Sequence, residues 1–247
     1  MFDLHTHTRY SDGANTPEEM VVAAMERGFS AIGISDHSYT AFDESYCVKK
    51  ENIPLYKREL ASLKEKYAGK IEVRCGVEED IFSDEPTDDY DYAIGSAHYL
   101  KKGGEYHPLD LSEKAFVALC EKEFGGDYYA LAEAYFNLIG QYAERKDIPI
   151  IGHFDLITKY NEGERLFSES VPRYRAAWKK AADALLAAGK IFEINTGAIA
   201  RGYRTEPYPG KNILGYLKEQ GARLLLSSDA HSSKTIGFAF DRYPLAK

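Results

Sequence analysis

Residues 1–8 read Met-Phe-Asp-Leu-His-Thr-His-Thr: a short strand-like run that ends in two histidines. On a strand, residues i and i+2 point the same way, so His5 and His7 can reach one ion. The same grammar recurs along the chain. Strand-like apolar runs are expected at 1–8, 30–36, 71–77, 92–96, 148–152, 191–195 and 222–227. Several are continuous runs such as Ile-Pro-Ile-Ile-Gly, which suit strands buried on both faces of a parallel sheet.

Helical patterns separate the runs. Thr16-Pro17-Glu18-Glu19 predicts an N-cap, a proline in the first turn and acids at the positive helix end. Further helices are expected over 53–67, on both sides of Gly125-Gly126-Asp127, over 172–188 and over 211–220. Acidic 84–91 and polar 163–170 read as loops. The alternation of strand and helix points to a parallel α/β fold. No linker, repeat or low-complexity stretch divides the chain, so one domain over 1–247 is expected.

Six of the seven histidines follow these runs. Beyond His5 and His7, His37 follows the second run, His98 the fourth, His153 the fifth and His231 the seventh. Glu78 ends the third run, and Asp229 stands two residues before His231. Singly, each reads as a buried or solvated polar residue. Together they would converge at the C-terminal rim of the sheet, where parallel α/β folds build their sites. Imidazole and carboxylate without thiolate suit Zn, Fe, Mn or Co. His107, in Tyr-His-Pro, reads as a loop residue, and Glu79 and Asp80 as solvated acids.

Composition limits the alternatives. The chain has 247 residues, a net charge of −8, 28% charged and 44% hydrophobic residues, which is globular composition. The acidic balance argues against a nucleic-acid partner held by phosphate neutralisation. Three scattered cysteines support no disulfide framework and point to a reducing compartment. No apolar run approaches the ~20 residues that span a bilayer. The first strand begins at Met1, which leaves no room for a signal peptide, so a cytoplasmic protein without membrane contact is expected. Oligomeric state has no signature in the sequence.

The motifs as an ordered set resemble the polymerase and histidinol phosphatase (PHP) superfamily, in particular its stand-alone histidinol-phosphatase branch. They are His-Thr-His-Thr-Arg-Tyr-Ser-Asp-Gly at 5–13, Ile-Ser-Asp-His at 34–37, Gly-Val-Glu at 76–78, Gly-Ser-Ala-His at 95–98, Gly-His-Phe-Asp at 152–155 and Ser-Asp-Ala-His at 228–231. The resemblance implies a distorted (β/α)7 TIM-like barrel with a cluster of three divalent transition-metal ions (Zn, Fe, Mn or mixed). It assigns His5, His7, Glu78 and Asp229 to one ion. Glu78 would bridge to a second with His98 and His153, and Asp12, His37 and His231 would hold the third. It implies hydrolysis of a phosphomonoester, L-histidinol phosphate in histidine biosynthesis, by a metal-bridged hydroxide, with leaving-group protonation near Asp229 or His231. Arg201, Lys159, Ser96 and Arg9 are the expected substrate-binding residues, because a phosphate needs cations beyond the metals.

The branch usually continues after Ser-Asp-Ala-His through a further helix, which this sequence shortens or lacks. The competing readings are a PHP phosphodiesterase or 3′-to-5′ exonuclease, a non-catalytic metal-binding scaffold, and a zinc amidohydrolase on a similar barrel.

Overall fold

The computed structural model describes residues 1–245; residues 246 and 247 of the expected domain lie outside the described ones. The seven apolar runs become seven parallel strands of one sheet: β1 (Phe2–Asp3), β2 (Ala31–Ile34), β3 (Glu72–Asp80), β4 (Tyr92–Ser96), β7 (Ile150–Ile151), β8 (Ile191–Asn195) and β9 (Arg223–Ser227), adjacent in that order. The remaining two strands, β5 (Tyr99–Lys102) and β6 (Glu105–Pro108), form an antiparallel hairpin beside the rim.

The two ends of the sheet meet without a regular ladder. The His7 amide donates to the Ala230 carbonyl at 2.9 Å, and the Ala230 amide to the His5 carbonyl at 3.2 Å. One turn lower, the Asp3 carboxylate accepts from the Ser228 amide and hydroxyl. The sheet therefore curls into a nearly closed barrel. Leu4, Ile94, Ile150 and Leu225 fill its interior, with Tyr92 beside them. The Tyr92 hydroxyl crosses the barrel to the Leu4 carbonyl. Only glycine fits opposite it: a Cβ at Gly33 would stand 2.1 Å from the Tyr92 Oη, and one at Gly76 2.2 Å from its Cζ.

Helices cover the outside. Buried side chains of α1 (Pro17–Glu26) and α2 (Ile53–Lys66), among them Met20, Val21, Tyr56 and Leu60, pack on Ile32, Ile34 and Val73. Thr16 and Glu19 form a reciprocal capping box at the start of α1. A larger cluster joins α3 (Glu113–Phe124), α4 (Tyr128–Ile139) and α5 (Pro172–Ala187) to Ile151 and Phe192 of the sheet. The short α6 (Gly197–Ala200) follows β8, and α7 (Lys211–Glu219) precedes β9. Among the described residues, no helix is long and apolar enough to cross a membrane.

Three boundaries depart from expectation. β1 and β7 are two residues each, because the chain beyond them leaves the ladder for side-chain partners; the Thr8 amide, for example, donates to Asp36 Oδ1 at 2.7 Å. β3 runs past residue 77 to Asp80, pairing Glu78, Glu79 and Asp80 with Ile94, Gly95 and Ser96. Glu79 and Asp80 are therefore buried, where the sequence reading made them solvated. His107 lies on β6 of the hairpin that the sequence reading left as loop. After β9 the described residues hold only single 3-10 turns, Ser233–Thr235 and Phe240–Arg242.

Candidate metal centre

All nine side chains expected as ligands meet at the C-terminal mouth of the barrel. Glu78 is the hub. Its Oε2 lies 3.3 Å from His5 Nε2, 3.5 Å from His7 Nε2 and 2.9 Å from His37 Nδ1. Its Oε1 lies 2.8 Å from His153 Nε2 and 3.4 Å from His98 Nε2. Asp229 Oδ1 stands 3.3 Å from His7 Nε2 and 3.8 Å from His5 Nε2. Asp12 completes the outer edge, 3.1 Å from His231 Nε2 and 3.6 Å from His37 Nε2. Ligand atoms within 4.8 Å of one another fall into three groups: His5, His7 and Asp229; His37, Glu78 and His98; and His7, Asp12, His37 and His231. His7 and His37 each join two groups, so the sharing is wider than the sequence reading, which gave that role to Glu78.

These donors fit cations. His5 Nε2, His7 Nδ1 and Nε2, His37 Nδ1, His153 Nδ1 and Glu78 Oε2 are buried and lack a hydrogen-bond partner. Leaving so many buried polar atoms unpaired is costly. Most of them face one another across gaps suited to a coordinated ion. Protons feel the same field. Burial works against charge on His98, but Glu78 and Asp80 outweigh it and raise its pKa to about 10. For His7, burial and then the charges of His231 and His37 lower the pKa to about 3. Burial alone would raise the Glu78 carboxyl, yet His5, His37 and His98 hold it well below the usual range.

A cleft of about 400 Å³ opens over these groups. Lys159 and Arg201 are on its wall; Arg9 and Ser96 are not. Arg201 donates to Asp229 Oδ2 at 3.0 Å and keeps a third of its side chain exposed. Lys159 donates to the Asp110 carbonyl at 2.8 Å. Ser96 is buried, and its hydroxyl donates to Glu78 Oε1 at 2.6 Å. Its place in the sheet between β3 and β7 turns it towards the hub instead of the cleft. Arg9 is exposed and spends its Nε on the Ala14 carbonyl. Arg204, three residues beyond Arg201, is buried with Nη1 4.0 Å from Asp155.

Residues 3–197 match the PHP domain family. The chain belongs to that family. Among curated PHP relatives it is 31% identical to the "Probable histidinol-phosphatase" of Deinococcus radiodurans, over 96% of this chain and 89% of that one. It is 26% identical to the "Histidinol-phosphatase" of Bacillus subtilis, over 98% and 97%. The barrel superposes on a solved structure from Listeria monocytogenes with a TM-score of 0.83 at 20% identity, covering 99% of this chain and all of that one. It superposes on the histidinol phosphate phosphatase of Lactococcus lactis, complexed with Zn, L-histidinol and phosphate, with a TM-score of 0.69 at 20% identity, covering 94% and 86%.

The PHP mouth also contains carboxylates that sequence reasoning missed. Glu193 of β8 accepts from His5 Nδ1 at 2.7 Å. Asp80 faces His98 Nδ1 at 3.3 Å. Asp36 accepts from the Thr8 amide and hydroxyl and from the Ser11 hydroxyl, and so shapes the loop that carries Asp12. Period-2 alternation marks Glu193 as inward-facing only once β8 is known to lie in a barrel.

Proposed function

We propose that this chain is a metal-dependent phosphomonoesterase that hydrolyses L-histidinol phosphate to L-histidinol and phosphate. The observation that carries this reading is a hub of unpaired imidazole and carboxylate atoms at the floor of a cleft walled by Arg201 and Lys159. His5, His7, Glu78 and Asp229 would hold one ion; Glu78, His98 and His153 a second; Asp12, His37 and His231 a third. When bound, such ions neutralise phosphoryl charge and bring the pKa of coordinated water to ~7.

The chain's own groups do the rest. Arg201 lines the cleft with a third of its side chain exposed, and its remaining N–H groups can donate to a phosphoryl oxygen while Nη2 holds Asp229 and Nη1 meets His231 Nδ1 at 2.9 Å. Lys159 adds a point charge from the neighbouring loop, after β7. Asp229 has both oxygens engaged, one by Arg201 and one towards His5 and His7, so it accepts and orients. His231 is the most exposed imidazole of the set and lies at the cleft edge, beside which the leaving alkoxide would be protonated. The rest of the cleft lining suits the alcohol portion: Tyr46, Tyr99 and Tyr203 offer rings for an imidazole, and Asp43 offers an acid for an amine, Asp110 being paired with Lys159. The curated relatives named as histidinol-phosphatases support the same substrate.

Phosphate release from a panel of esters tests this, with purified protein loaded in turn with Zn, Mn and Fe. L-histidinol phosphate should give the highest kcat/KM, above p-nitrophenyl phosphate, and bis-p-nitrophenyl phosphate the lowest. Preference for the diester would favour the nuclease reading. Bound metal with no ester turned over would leave a scaffold.

A further inference from the structure

Only one of the seven barrel strands brings no expected metal ligand to the mouth: β8, which runs out through Asn195-Thr196-Gly197. Glu193 lies on that strand, fully buried. Its carboxylate has no Lys or Arg nitrogen within ion-pair distance among the described residues, and the partner it does have is His5. Its Oε1 accepts from His5 Nδ1 at 2.7 Å. Its Oε2 accepts from the His153 amide at 3.2 Å and from Asn195 Nδ2 at 3.1 Å. One carboxylate thus joins the mouth ends of β1, β7 and β8.

We infer that Glu193 is a positioning residue that holds the His5 proton on Nδ1, so that the Nε2 lone pair faces the cation, while it fixes the start of the His153 turn. The inference rests on the reading of His5 as a ligand. A buried anion without a cationic side chain needs a counter-charge, and an imidazole drawn towards a metal supplies one. His5 Nε2 is itself buried and unpaired, 3.3 Å from the Glu78 hub. Glu193 touches neither substrate nor ion; it acts through His5 and His153.

The chemistry of an amide makes the inference sharp. Glutamine has one acceptor oxygen where glutamate has two. If its oxygen serves His5, its NH2 opposes the two donors from His153 and Asn195. If it serves those donors, its NH2 faces His5 Nδ1, the His5 proton moves to Nε2, and the inward lone pair is lost.

The test begins with unaltered protein. In Zn-loaded, 15N-histidine-labelled protein, long-range 1H–15N correlations should show His5 protonated at Nδ1 and bare at Nε2, the signal being assigned by its loss in His5→Gln. A proton on Nε2 overturns the inference. Glu193→Gln should then weaken Zn2+ binding at one site about 10–100-fold, read by competition with a chromophoric chelator, with the circular dichroism of the metal-free protein unchanged. In the His5→Gln background, Glu193→Gln should add little to that loss. Unchanged affinity, or fully additive losses, would overturn the role. If Glu193→Gln does not fold, the histidine spectrum of the unaltered protein decides alone. None of these readouts uses a substrate, so failure of the histidinol phosphate assignment would leave them intact.

Discussion

Arg201 and Ser96 were both expected to touch substrate, and the structure separates them by one question: what does each polar atom already bond? Arg201 keeps guanidinium surface in the cleft after satisfying Asp229. Replacing it by Ala should raise KM for the phosphorylated substrate, since a hydrogen bond to a charged group contributes about 1.5–3 kcal/mol, or roughly 10–100-fold. An unchanged KM would remove it from the binding site. Ser96 spends its hydroxyl on Glu78. Ser96→Ala should therefore weaken metal retention and lower kcat while KM stays nearly constant; dialysis with metal analysis and steady-state kinetics separate the two effects. Glu78→Gln should go further, losing metal and at least ~100-fold of kcat/KM as the shared hub loses its charge. The nine clustered side chains were legible because each stands in or just beyond a short motif at the end of an apolar run or in the loop after it. Glu193 and Asp80 were not, because an acid within a strand carries no mark of the imidazole it will face.

Among the elements, the helices were the easiest to read, since caps and glycine stops are local signals. Thr16 accepts from the Glu19 amide, and Glu19 returns the bond. Thr16→Ala should cost about 1 kcal/mol, lowering Tm by roughly 2–4 °C and leaving kcat untouched; a Tm within error of the parent would show that α1 is held by packing alone. The β5–β6 hairpin escaped the sequence reading. Its core, Lys-Lys-Gly-Gly-Glu, is polar, and its partly buried face depends on Phe42 stacking on Tyr106 at 3.9 Å, a contact from a distant loop. The length of β3 was misjudged for a related reason. Acids at 78–80 look like solvated residues until β4 pairs with them.

Over the whole molecule, the site is also a fastening. Its proposed ligands come from the mouth ends of β1, β2, β3, β4, β7 and β9 and from the loop after β1, and the β1–β9 seam has few backbone bonds. Ions held there would bind the folded barrel and not the open chain. At a hundredfold excess over Kd each contributes about 2.7 kcal/mol. Treatment with a chelator should therefore lower Tm by about 5–10 °C per ion removed, and restoring Zn2+ should recover it; an unchanged Tm would mean that the cluster does not close the barrel. The sequence by itself determined the alternation of strand and helix and pointed to the nine side chains that the fold gathers at one mouth, because hydrophobic period and local capping act over a few residues. Only the tertiary structure decided how the seam closes, which basic side chains line the cleft, and that a glutamate on the strand without a proposed ligand stands behind His5. The seam and the Glu193 contact depend on residues far apart in the chain, 225 for Asp3 and Ser228 and 188 for His5 and Glu193, meeting within hydrogen-bond reach, and no local pattern encodes such a meeting.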